Sequence, residues 1–334
     1  MRLLTPLRLA LAGLLLAAVA LALWAVPTDN YIFLPNRAHE VAPLVRVEGG
    51  KEPADGGIYF VDVLVRKATL LERLWPDLRE GASVVPGDTV RPPGVSDSER
   101  RRAELAEMRL SQRVAAAVAL RELGYDVVAR PAGARIEFVD PNAPAHGELE
   151  AGDIVVRAFG RPVRVPGQLR AAITAREEGT EIPLVVRRDG RLVPLRVRSM
   201  RGPEGRPIVG VIVSQEANIR LPVDVDIDVQ GVGGPSAGLA FTLDVLEELG
   251  RDVDRGNRVA VTGTIELDGS VGEVGGLKQK TLGVRRAGIP IFVVPAGENA
   301  REARRHAGGV RIVAVENLQQ ALRALATLPR NAKD

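Results

Sequence analysis

Apolar positions along the chain first form one unbroken run and then settle into helical and strand-like periods. Residues Leu9 to Val26 are 18 consecutive apolar or small side chains, with Trp24 near their end and Pro27 after them. That length predicts a single N-terminal transmembrane helix. Arg2 and Arg8 precede it, so the N-terminus is expected in the cytoplasm and everything after Pro27 outside the cell membrane. Ala20-Leu-Ala22 also fits a signal-peptide cleavage site, which leaves a removed leader as the alternative. From Asn30 to Val65 the chain reads as extended, with Tyr31-Ile-Phe-Leu34 before a turn at Pro35-Asn36 and a β-branched strand from Ile58 to Val65. Prolines 86, 92 and 93 mark a loop. Asp97 and Ser98 then cap a long helix that carries Leu105, Met108, Ala115, Val118 and Ala119 on one side and stops at Gly124. Residues 130 to 199 read as a strand, a Gly-Asp turn, a second strand, a helix and two more strands.

Two Gly-led helices follow. In Gly231-Val-Gly-Gly-Pro-Ser-Ala-Gly238 a glycine-rich turn runs into a helix whose apolar residues recur at Leu239, Leu243, Leu246 and Leu249 before Gly250 stops it. Pro235 suits a first helical turn, where a missing N–H costs nothing. Ser236 is thereby placed at a helix N-terminus, where unpaired N–H groups favour developing negative charge. On these residues alone it reads equally as a nucleophile or as an N-cap. The second helix begins at Gly275-Gly276 and closes at Gly288, with Leu277, Thr281 and Val284 on its inner face. Lys280 borders that face and Lys278 points toward solvent. A lysine desolvated among apolar neighbours favours its neutral form and can act as a base near neutral pH; a snorkelling lysine is the alternative.

Composition narrows the chemistry. The chain has 334 residues, a net charge of +3, 3% aromatic residues and no cysteine. Disulfides and thiolate metal sites are excluded, and basic patches interleaved with aromatics, the mark of nucleic-acid binding, are absent. Neither a phosphate-binding Gly-x-x-x-x-Gly-Lys-Ser/Thr loop nor a metal-ligand spacing occurs, so no cofactor and no metal are expected. His39, His146 and His306 lie far in sequence from Ser236, leaving lysine as its candidate base.

Gly234-Pro-Ser-Ala-Gly238, Val261-Thr-Gly-Thr-Ile265 and Gly275-Gly-Leu-Lys-Gln-Lys280, in that order and spacing, closely resemble the proteolytic domain of Lon proteases from about Leu221 to Leu328. The resemblance implies a Ser236 nucleophile and a Lys280 general base. Backbone N–H groups from Gly234 to Ala237 are oxyanion candidates, and Thr262 either orients Lys280 or finishes a turn. Many Lon proteins carry an acidic residue where this chain has Gly233. Residues from Asp140-Pro-Asn-Ala-Pro-Ala145 through Leu149-Glu-Ala-Gly-Asp153 to Gly160-Arg-Pro-Val163 resemble bacterial PDZ domains. In such domains a loop binds peptide C-termini, and here it maps to Gly133, Ala134 and Ile136. The expected fold is α+β: residues 1–27 an anchor, 28–125 the first part of the Lon-like fold, 126–202 an inserted, partly barrel-like PDZ domain, and 203–330 the remaining Lon-like part. The resemblance implies an ATP-independent, membrane-anchored serine endopeptidase acting on proteins or peptides, with a homo-oligomer as a further expectation. A catalytically dormant PDZ scaffold is the alternative.

Overall fold

Strand β3 (Gly57–Thr69) ties the two ends of the chain together in this computed structural model, which describes residues 6–51, 56–90, 97–202, 205–229 and 231–331. One edge of β3 pairs antiparallel with β1 (Pro27–Glu40), and the other pairs in parallel with β14 (Arg258–Val261), with Gly57 opposite Arg258 and Phe60 opposite Val261. The resulting sheet runs β18 (Arg311–Val315), β17 (Ile291–Pro295), β14, β3, β1, β4 (Ser83–Val85). Its β14, β17 and β18 strands are parallel and apolar, as strands covered on both faces must be. Below it, α4 (Asp97–Glu122) packs on α6 (Gly238–Glu248), and one core unites Phe60, Met108 and Ala115 with Leu239, Phe241 and Val259. The alanines of α4 permit a close approach: a Cβ on Gly238 would lie 2.8 Å from Ser111 Oγ. Helices α7 (Leu277–Arg286) and α8 (Glu298–His306) pack against each other and α9 (Leu318–Ala326) against β18, while short α2 (Leu70–Leu74) and α3 (Gly87–Val90) attach to β1.

A second sheet forms between these two parts of the chain. It is ordered β12 (Val211–Arg220), β5 (Val128–Val139), β6 (Ile154–Ala158), β8 (Glu181–Arg188), β9 (Arg191–Arg198), with β7 (Arg161–Pro162) on β6. Helix α5 (Pro166–Thr174) seals its own core of Ile136, Val155, Leu169 and Ile182. Three ribbons complete the chain: β2 (Val45–Val47) with β13 (Val225–Ile227), β10 (Met200–Arg201) with β11 (Pro207–Ile208), and β15 (Thr264–Ile265) with β16 (Val271–Gly272).

Several sequence expectations are corrected. The transmembrane helix is not found: α1 (Pro6–Ala25) gives way to β1 at Pro27, and among the described residues no helix is long and apolar enough to cross a membrane. With Arg8 inside α1 and the helix ending at Ala25, the apolar run within it is shorter than the 18 residues of the sequence, and a bilayer asks for about 20. Pro35-Asn36 does not turn the chain, because β1 continues through it with a bulge between Pro35 and Ala38. Gly87–Val90 is a helical turn rather than loop, and Pro92 and Pro93 lie outside the described residues. Residues 211–220 form the edge strand of the second sheet, paired antiparallel with β5.

The shared sheet yields a stability prediction. A fragment of residues 221–331 leaves the β14 edge unpaired and strips α4 from α6, exposing an apolar face whose fully buried side chains are each worth about 1.5–3 kcal/mol. It is expected to show no cooperative thermal transition by circular dichroism, whereas the full chain unfolds cooperatively.

Candidate active site

Ser236 is held by its carbonyl neighbours rather than by a regular helix. Helix α6 starts at Gly238 with Ala237 as its N-cap, so Pro235 and Ser236 lie just outside the first turn where the sequence placed Pro235. Gly234, at φ +86°, turns the chain into this position. The Pro235 carbonyl accepts from the Ser111 hydroxyl of α4 at 3.2 Å. The Ser236 carbonyl accepts from Gly263 N–H at 2.9 Å and from Thr262 Oγ1 at 3.1 Å. Both halves of the chain therefore fix the serine backbone.

Lys280 closes the first turn of α7, which Gly276 begins in the left-handed region at φ +73°. Its residue is only 3% exposed, and Nζ lies 2.8 Å from Ser236 Oγ and 2.9 Å from Thr262 Oγ1. Among the described residues it forms no ion pair. Burial pulls its pKa down to about 7, against a smaller opposite pull from Asp62. The Thr262 hydroxyl donates to the Ser236 carbonyl, so its oxygen is left to accept an N–H from Lys280. In its neutral form the amine at this distance can accept the Ser236 hydroxyl proton. Lys278 differs from its expected solvent position: it is half-buried and donates to the Ala82 carbonyl at 3.1 Å.

The oxyanion candidates separate. Gly234 N–H donates to the Glu104 carbonyl at 3.0 Å and is already occupied, contrary to expectation. The N–H groups of Ser236 and Ala237 find no acceptor among the described residues, and Ala237 is buried. Two donors beside the nucleophile are what a developing oxyanion needs.

Sequence reasoning missed the groups behind the lysine. Asp62 of β3 accepts two bonds from Asn36 Nδ2, at 2.9 and 3.0 Å, and lies 3.2 Å from His39 Nε2. These bonds engage both oxygens of the Asp62 carboxylate. The available signal was one acidic residue inside the otherwise uncharged run Ile58–Val65. Ser111 was equally visible, as a lone hydroxyl on an alanine-lined helix, but its partner lies 124 positions away. Elsewhere, carboxylates of Glu247, Asp252 and Asp254 come within 4.8 Å of one another. Glu247 and Asp254 already accept backbone N–H bonds there, as loop-closing groups do.

Gly133, Ala134 and Ile136, expected in a peptide-binding loop, sit inside β5. Gly133 opposes Glu216 of β12, and Ala134 opposes both Gln215 and Val155, while Ala134 and Ile136 are wholly buried. A strand paired on both edges cannot accept a further strand. The open cleft of the second sheet, of about 690 Å³, lies instead between α5 and the start of β12. Its helix is hooked to the catalytic region: Glu266, between β15 and β16, accepts Gly167 N–H of α5 with both oxygens, at 3.0 and 3.1 Å.

Comparison with known proteins places these features. Residues 220–327 match the Lon protease (S16) C-terminal proteolytic domain, and residues 121–198 match the PDZ domain. The Lon protease of Chloroflexus aggregans is 39% identical over 106 residues, covering 30% of this chain and 12% of that protein. Lon protease 3 of Sorangium cellulosum is 36% identical over 121 residues, covering 34% and 14% respectively. The chain thus matches only a small part of the length of these relatives. The PDZ domain of the SdrC-like protein from Listeria innocua is 18% identical with a TM-score of 0.24, covering 24% of this chain and 92% of that chain. In one chain, then, a PDZ domain is joined to a proteolytic domain similar to that of Lon proteases.

Proposed function

We propose that the protein is a serine endopeptidase of proteins or peptides in which Ser236 is the nucleophile and Lys280 its general base. The observation that carries this reading is the 2.8 Å approach of a buried, unpaired amine to a serine hydroxyl. Ser236 Oγ attacks the scissile carbonyl carbon as its proton passes to Lys280 Nζ. The tetrahedral oxyanion is met by the N–H groups of Ser236 and Ala237. As the C–N bond breaks, Lys280 returns the proton to the leaving amine. Water then hydrolyses the acyl-enzyme, with Lys280 again taking the proton. Thr262 holds the amine in place, and Asp62, kept busy by Asn36 and His39, does not re-protonate it. None of these steps draws on ATP. The PDZ domain holds substrate chains beside the site.

Three outcomes follow for this dyad. A fluorophosphonate probe should label the full chain at Ser236, and Ser236→Ala should lose both label and peptidase activity by more than about 10³-fold while keeping its melting profile. An unlabelled, inert wild-type chain supports the dormant scaffold instead. Activity should rise with pH, with kcat/KM half-maximal near 7, because only the neutral amine accepts the serine proton. Stability should move the other way on substitution. A depressed lysine pKa penalises the fold fully below about 7, and the penalty fades as pH climbs toward the unfolded value. Lys280→Met should therefore be inactive yet more stable than wild type at pH 6, by up to about 5 kcal/mol, and the gain should shrink at pH 10. Denaturant titration at the two pH values reads it.

A further inference from the structure

The cleft beside α5 is built by both domains, and this gives it a chemistry that the PDZ sheet alone does not have. On one side, β12 is the end strand of its sheet, bonded to β5 on one edge only. The far end of its open edge is covered, where Arg113 of α4 donates to the Ile219 carbonyl at 2.6 Å. The near end, from Val211 to Val213, faces the cleft. Leu169 and Ile173 of α5 and Val209 give an apolar floor. An open strand edge next to an apolar floor suits an extended peptide, whose backbone adds to the edge while alternate side chains reach the floor.

The opposite wall belongs to the proteolytic domain: the run Glu273 to Gly276, and Glu298, Asn299 and Glu302 of α8. Most of its charges are spoken for. Glu273 pairs with Arg206 at 2.8 Å and Glu298 with Arg301 and Arg305, while on the facing side Arg170 of α5 also lines the cleft and pulls down on the Glu266 pKa. Glu302 is half-buried and has no partner among the described residues. The wall is also rigid. Asn299, itself buried, clamps both backbone groups of Val274, accepting its N–H at 2.8 Å and donating to its carbonyl at 3.0 Å. Two residues later Gly276 starts the helix of Lys280, whose N–H bonds the Gly276 carbonyl at 2.9 Å. A chain lying in the cleft thus touches the segment that leads into the catalytic lysine.

We propose that this two-domain cleft is an exosite for extended polypeptide segments carrying lysine or arginine, added as a strand to β12 and selected by the Glu302 carboxylate. The exosite deepens the reading of the chain as a peptidase by naming the class of segment it holds, and binding is measured apart from cleavage. Full-length Ser236→Ala is titrated with fluorescein-labelled, Val/Thr-rich decapeptides. Each carries one lysine, moved along the series, or glutamate at the same position, and anisotropy reports binding. At one or two adjacent alternate positions the lysine peptide is expected to bind about fivefold tighter than its glutamate twin, an advantage lost in 0.5 M salt. Glu302→Gln should erase the preference and Glu302→Lys should invert it. No binding by any peptide, equal affinity for both at every position, or a preference that survives Glu302→Gln overturns the exosite. None of these results bears on whether Ser236 reacts with a fluorophosphonate, so the exosite and the dyad fail separately.

Discussion

An amine kept out of water without an acidic partner is the condition on which the rest of this structure depends. Ionised, Lys280 would need a carboxylate or solvent, and its pocket offers two hydroxyls instead. The fold bears a penalty for keeping that amine buried, and on the proposed reading the return is a base able to take a serine proton near neutral pH. Asp62 sets the tolerance of the arrangement. Close enough to oppose the downward shift, its carboxylate is committed to Asn36 and His39, so the lysine stays unpaired.

This pocket cannot be assembled from the C-terminal motifs alone. Thr262 ends the run of β14, β14 is stitched to β3, and Ser111 of α4 grips the backbone just before Ser236. The second sheet leaves the chain after α4 and returns through β12, so it is hung from both parts of the catalytic core. Glu266 hooks α5 to the hairpin between Thr262 and the Lys280 helix. Whatever sits in the cleft therefore lies against the short stretch of chain that leads to Lys280.

How far the sequence could be read depended on the range of the interaction. Ser236 and Lys280 were legible because each sits in a local motif with a fixed offset from a glycine turn, and the side of α7 that carries Lys280 follows from helical geometry. The helix stop at Gly250 was legible for the same reason, its φ of +88° being a demand on a single residue. Partners far along the chain were not. Nothing local shows that Gly234 N–H is taken by Glu104, that Lys278 reaches Ala82, or that Asp62 stands behind Lys280. Gly133, Ala134 and Ile136, read as part of a peptide-binding loop, lie instead in a strand, because β12, which arrives some 80 positions later, pairs with it. The apolar run at the N-terminus was read from length alone, and the fold ends its helix at Ala25.

The central claim is a physical one about a single side chain, and it can be observed without substrate. Lysines labelled with ¹³C at Cε can be followed by NMR through a pH titration of the full chain, with Lys280→Met identifying the relevant signal. The account predicts one resonance that titrates near 7 while the others move near the ordinary lysine value of about 10.4. A Lys280 signal that titrates with the rest would mean that the amine is charged at neutral pH, and would contradict its role as the base of Ser236.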